Sequence, residues 1–368
     1  MNQNTLALAT ALRRELHARP ELSGCETWTK QRLQDFLRCH TSLALVDRGA
    51  WFYGYRKGKG AKPPIAFRAE MDAIAMHEHL LLPYASTTPG VAHKCGHDGH
   101  CAVLAAFAME TEGVMPERDI YYIFQHAEET GQGAQACVSL IREQGIEEVF
   151  AFHNMSGRSW GEVALRTGTM NCASQGVALR FIGVPAHASL PETGRSPALA
   201  VADSLRASMD SAVRETFSAP VWCTPTHVSM GSESFGIAAG EAKALFTCRG
   251  ECEADMQALS RNFVEAARAF ALRDGLEVDV SLHDVFPETV NHPDSVEKIR
   301  SACVRLGFPF HRMEEPMRAS EDVGHFFKAA KGALFLLHTG NRSPIHTPEY
   351  DFDDTIIERA VTLFTALL

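Results

Sequence analysis

The chain has 368 residues, 45% of them hydrophobic and 22% charged, with a formal net charge of −10. That length and apolar content fit a globular protein of two domains. The acidic balance, with no run of Lys or Arg, argues against a nucleic-acid surface, and no segment has the apolar length of a membrane span.

Residues 4–18 have the spacing of an amphipathic helix and 26–39 that of a second, with a turn between them. The apolar stretch near the amino terminus is short, lacks a preceding basic region and runs into Arg13, Arg14 and Glu15. It is therefore not read as a signal peptide, and the cytoplasm is the expected location. The ten cysteines contain no CxxC pair and read as reduced thiols. Residues 64–68 form a short apolar strand that delivers Glu70 and Asp72. The stretch 89–100, PGVAHKCGHDGH, then crowds His93, Cys95, His97, Asp98 and His100 into one glycine-bearing loop, and an alanine-rich helix follows over 101–109. Residues 119–124, DIYYIF, make the most strand-like run of the first half. They empty into Glu128 and Glu129, ahead of a helix over 134–144, and the strand 148–152 ends on His153.

Strands that alternate with helices and finish on acids or imidazoles predict an α/β domain with a mixed, mainly parallel sheet. Such sheets place their chemistry at the carboxyl ends of the strands. The pattern changes near Asn171: strand 177–183, helix 196–217, strands 221–230 and 241–249, helix 253–273, strand 278–285. This order predicts a ferredoxin-like α+β unit of the split βαβ type. It is placed as an insertion over 172–287, leaving 1–171 and 288–368 as a discontinuous catalytic domain. That domain resumes with a helix at 294–306, a strand at 333–337 and a last helix at 354–368. Glu321 and Asp322 read locally as the start of a helix capped by Ser320.

A lone histidine or cysteine is usually structural. Cys95 and His97 around a single glycine, with Asp98 and His100 directly after, point instead to a metal site, since thiolate and imidazole suit borderline-soft divalent ions. The first half of the chain supplies Cys95, His97, Glu129 and His153 as a ligand set, and His346 in the tail offers the one more that would complete two metals. The adjacent carboxylates Glu128 and Glu129, elsewhere an ordinary solvated pair, need a cation at such a strand-end loop.

The segments RRELHARPEL, RAEMDAI, HKCGHDGH, AEETGQGA, HNM, GVPAHASLPETG, ASED and IHTPEYDFDD occur in this order over nearly the whole chain. In this the sequence resembles the amidohydrolase branch of the aminoacylase and glutamate-carboxypeptidase metallopeptidases, which includes hippurate hydrolase and the auxin-conjugate hydrolases. The resemblance implies a phosphorylase/hydrolase-like zinc-peptidase catalytic domain with an inserted lid and dimerisation domain. It implies two divalent ions per subunit, Zn²⁺ or Mn²⁺ with Co²⁺ or Ni²⁺ as further options, held by Cys95 as the bridging thiolate and by His97, Glu129, His153 and His346. Glu128 is then the general base that takes a proton from the attacking water and passes it to the leaving amine. Asp72 orients a ligand, and His187 reaches the oxyanion, often from the neighbouring subunit of a homodimer. His93, His100, His126 and His338 are left as supporting or structural.

The sequence departs from the branch at Glu70, where Asp is usual, at Lys94, where a small residue is usual, and at Phe235-Gly236-Ile237-Ala238. That last stretch replaces an Asn-Val-Ile-Pro whose Asn helps to hold the substrate. The expected reaction is hydrolysis of the amide bond of an N-acyl or N-aroyl amino acid. A dipeptidase or an aminobenzoyl-glutamate-type hydrolase would use the same residues. A hydrolase with Cys95 as nucleophile would instead resist chelators and be killed by iodoacetamide, and a non-enzymatic metal-binding scaffold would lack the base that Glu128 supplies.

Overall fold

Eight strands form one mixed sheet: Ala44–Asp47 (β1), Phe52–Arg56 (β2), Ile65–Glu70 (β3), Ile120–Gln125 (β4), Glu148–Met155 (β5), Val163–Leu165 (β6), Phe310–Arg312 (β7) and Lys331–His338 (β8). The computed structural model describes residues 1–214, 217–340 and 342–368, and in it the strands run in the order β1-β2-β4-β3-β5-β8-β6-β7. The four middle strands β4, β3, β5 and β8 are mutually parallel. β1 and β2 add antiparallel at one edge, and β6 pairs antiparallel with β8 and parallel with β7 at the other. β3 and β4 are buried at every residue and β5 at all but its last. Continuous apolar runs of this kind are what a parallel sheet covered on both faces requires.

The helix His97–Glu110 carries no amphipathic stripe, because Cys101 to Ala108 are all wholly buried. A helix apolar all round belongs inside the fold. Phe107 packs edge-on to Phe67 of β3 at 4.7 Å and to Phe364 of the helix Ile357–Ala366 at 5.6 Å. Phe364 also meets Phe152 of β5 at 5.8 Å, so aromatic rings join the sheet to the two helices beside it.

By its packing the chain divides into two compact units. One consists of Met1–Met170, Thr289–Glu315 and Asp322–Leu368, the other of Asn171–Glu288 and Pro316–Glu321. The second unit holds a four-stranded antiparallel sheet in the order Val221–Met230, Glu241–Gly250, Ala173–Ile182, Glu277–Phe286. The helices Ala198–Arg214 and Glu253–Arg273 pack on it, around Leu179, Phe181, Phe246 and Phe263. Along the chain its main elements read strand, helix, strand, strand, helix, strand. Cys223 and Cys248 stand opposite each other on neighbouring strands, their sulfurs 3.6 Å apart.

Several details differ from the sequence-based expectation. The hairpin of β1 and β2 was not expected, since Asp47-Arg48-Gly49 and the short flanks hide its pattern. β5 continues three residues further than expected, so His153 lies within the strand rather than after it. The helix expected over 196–217 is described as Ala198–Arg214, and residues 215–216 lie outside the described residues. Asp322 does not open the following helix, whose cap is Val323. It is buried and accepts hydrogen bonds from Arg68, Gln125 and the Ala134 backbone N–H.

Candidate metal centre

Because β3, β4 and β5 are parallel, their carboxyl ends share one edge. Asp72 lies just beyond β3, Glu128 and Glu129 just beyond β4, and His153 near the end of β5. His97 starts the helix His97–Glu110 directly after Gly96, whose φ of 100° is left-handed. A Cβ at Gly96 would lie 2.3 Å from Asn154 Oδ1 and 2.5 Å from the Tyr350 hydroxyl. Only glycine fits where the ligand loop turns into the helix.

The donor atoms form two triads that share one sulfur. Cys95, His97 and His153 each offer an atom within 4.8 Å of the other two, and so do Cys95, Glu129 and His346. His97, Glu128 and Glu129 make a third overlapping group. Cys95 Sγ is 3.3 Å from His153 Nε2, and Glu129 Oε1 is 3.4 Å from His346 Nε2. Both buried imidazoles have their Nδ1 engaged: His97 donates to the Asp72 carbonyl at 2.9 Å and His153 to the Asn154 carbonyl at 2.8 Å. This leaves Nε2 of both rings facing the cluster, the atom each would offer to a metal once it is free of its proton.

Asp72 is wholly buried and accepts from Ser23 Oγ at 2.7 Å and from the Glu129 backbone N–H at 2.9 Å. It therefore touches both sides of the cluster, His97 through its backbone carbonyl and Glu129 through its carboxylate. Glu26, which the sequence did not single out, accepts the Ala127 N–H at 2.7 Å and so props the turn that carries Glu128. Burial pushes its carboxyl up to about 7, with Asp72 adding to the effect. His100 bridges Glu70 and Asn154 at 2.8 and 2.7 Å, a supporting place behind the donors.

Electrostatics make the pocket cation-seeking. Burial raises the Cys95 thiol well above its usual range, and Glu129 and Glu128 raise it further. Burial alone would lower His97, but its bond to Asp72 and the charges of Glu70, Asp72 and Glu129 outweigh that and bring it up to about 10. His153 is pulled down to about 3 by burial and by the charges of His100 and His97, which outweigh the opposing charge of Glu70. A divalent ion competes with protons for these same lone pairs. His97 Nε2 and Glu129 Oε1 are buried with no hydrogen-bond partner among the described residues. Orphaned buried donors of this kind are costly unless something binds them. The residues therefore fit a metal-binding role.

The ligand candidates named from the sequence thus come together in the first unit. His346, half exposed with a left-handed φ of 58°, arrives on a loop after β8. His187 lies in the second unit, exposed, with its Nδ1 2.7 Å from Ser189 Oγ. Its strand partner is Ile237, so the departure at Phe235-Gly236-Ile237-Ala238 sits directly beside it. Phe235 there is fully exposed.

Over 368 aligned residues the chain is 27% identical to hippurate hydrolase of Campylobacter jejuni, covering 97% of this chain and 94% of that protein. It is 25% identical to N-acetylcysteine deacetylase of Bacillus subtilis, covering 97% and 94%. The fold matches the crystal structure of a Bacillus subtilis dinuclear metal-binding peptidase of the M20 family with a TM-score of 0.82 at 22% identity, over 100% of this chain and 98% of that one. Residues 66–368 match Peptidase family M20/M25/M40, a span that takes in Asp72, every clustered donor and His187. The chain belongs to that family of amide-bond hydrolases.

Proposed function

We propose that the protein is a dinuclear metal-dependent amidohydrolase acting on N-acyl or N-aroyl amino acids. The observation that carries this reading is the pair of donor triads sharing Cys95, with His97 Nε2 and Glu129 Oε1 buried and without a hydrogen-bond partner among the described residues. Cys95, His97 and His153 would hold one ion, and Cys95, Glu129 and His346 the other. When bound, such ions supply Lewis acidity, which acidifies a water and polarises the scissile carbonyl. The names of the curated relatives, a hippurate hydrolase and an N-acetylcysteine deacetylase, support the substrate class.

The remaining work falls to side chains of this chain. Glu128 Oε2 lies 3.8 Å from His97 Nε2, beside the donors, where it can take a proton from the attacking water and deliver it to the leaving nitrogen. Asp72 holds His97 and Glu129 in place. We assign the second unit to the roles of lid and dimerisation surface and His187 to the oxyanion, contributed across a homodimer. Its exposed position on a short two-stranded ribbon and the exposed Val228 and Met230 on an edge strand support that assignment.

The test is a panel of N-acetyl and N-benzoyl amino acids, aminobenzoyl-glutamate and dipeptides, assayed on metal-stripped protein and after addition of Zn²⁺, Mn²⁺, Co²⁺ or Ni²⁺. Amide hydrolysis should appear only after reconstitution. Activity that survives chelation and is abolished by iodoacetamide would overturn the reading in favour of Cys95 as nucleophile.

A further inference from the structure

The two triads are unequally supported, and the difference traces to Lys94. His97 and His153 are set by the start of a buried helix and by a central strand. His346 has no such element: it sits half exposed on a loop in a left-handed conformation. Its backbone N–H donates to the Lys94 carbonyl at 2.7 Å. The Lys94 side chain is wholly buried, and its Nζ donates to the Tyr350 carbonyl at 2.7 Å, four residues further along the same loop. The ammonium is neutralised by Glu78, which also meets His17 Nε2 at 3.0 Å and the Ser86 N–H at 2.8 Å. A buried lysine is costly unless paired and hydrogen-bonded, so this pair is a constructed feature. Lys94 immediately precedes Cys95, and so one residue ties the shared thiol to the loop that carries His346.

We infer that the buried Lys94–Glu78 pair is a positioning device for His346, and that it sets the affinity of the second ion separately from the first. This rests on the two-ion reading above. Lys94 touches no reacting atom; it acts by fixing where the His346 imidazole can stand. Groups that orient metal ligands typically change affinity by about 10–100-fold when removed. Taking away the ammonium should therefore weaken the Cys95–Glu129–His346 ion on that scale and leave the Cys95–His97–His153 ion as it was.

The experiment is calorimetric titration of metal-free protein with Co²⁺ alone, with the visible spectrum followed in parallel. Wild type, Lys94→Met and the double variant Lys94→Met/Glu78→Gln are compared. The double variant leaves no unpaired buried charge, so it remains informative if the single one fails to fold. The expected result is two equivalents in wild type, and in the variants an unchanged first equivalent with its thiolate band and a second weakened by about 10–100-fold. Two equivalents of wild-type affinity in a folded variant would overturn the inference, as would equal weakening of both, which marks a merely structural role. Wild type taking up only one equivalent would instead overturn the two-ion reading and the inference with it.

Discussion

At the scale of single residues the cluster separates holding from reacting. Glu128→Gln should fold and keep both ions while activity falls by about 10²–10⁴-fold, the usual worth of a general base. Metal analysis beside steady-state rates checks this, and a variant within tenfold of wild type would reject the role. Cys95→Ala removes the sulfur common to both triads, so metal content should drop below that of any other single-ligand variant, as read by elemental analysis after reconstitution. The ligand types were legible in the sequence because Cys95 and His97 are near neighbours and Glu128-Glu129 is contiguous. His346 is only a candidate from the tail until the resemblance gives it a place among the ligands, since nothing local ties it to the first half of the chain. Lys94, Glu78, His17 and Asp98 were not legible as a group. Lys94 stands out only as a departure from the family pattern and Asp98 only as a neighbour of the ligands, and nothing links them to Glu78 and His17 before the fold brings them together.

Among the elements, the strand ends were readable because parallel strands need continuous apolar runs, and β3, β4 and β5 have them. What was missed has two causes. The hairpin of β1 and β2 is local, Ala44 facing Tyr55, but its strands are too short to show a pattern. The partners of Asp322, which are Arg68, Gln125 and Ala134, lie far away in sequence. One helix start deserves a test of its own. Gly133 opens the helix Gly133–Glu143, and a Cβ there would fall 1.6 Å from the His126 carbonyl oxygen. That oxygen is backbone, so Gly133→Ala must displace the turn that bears Glu128 and Glu129. Overpacking of this kind costs about 1–3 kcal/mol. Urea unfolding should show that loss, and kcat should fall with it although residue 133 touches no donor. Unchanged kcat in a folded variant would mean that the turn is positioned independently of the helix.

Over the whole molecule, the same buried ion network joins distant parts of the chain. Arg13 and His17 meet Asp98, His17 meets Glu78, and Arg13 also pairs with Asp351. Burial would raise the Glu78 carboxyl, but His17, Lys94 and the Ser86 N–H outweigh it and lower the group from its usual 4.5 to about 2. A depressed carboxylate contributes stability that is present above about 4.5 and lost as pH falls towards about 2. Thermal melts of metal-free protein should therefore show wild type more stable than Glu78→Gln at neutral pH, with the gap closing as the solution is acidified through that window. A pH-independent gap would show that Glu78 acts by packing alone. For the second unit, mixing His187→Ala with Glu128→Gln chains should restore part of the activity if the histidine works across a dimer. Mixed dimers without rescue would exclude that arrangement. The division of the first unit into separate chain segments also bears on how the protein is made. Synthesis at about 5–20 residues per second completes Cys95, His97, Glu129 and His153 first, then the whole second unit, and His346 only near the end. On the two-ion reading, every ligand of the first ion is synthesised before the second unit, whereas the second ion's set is complete only once His346 has been added.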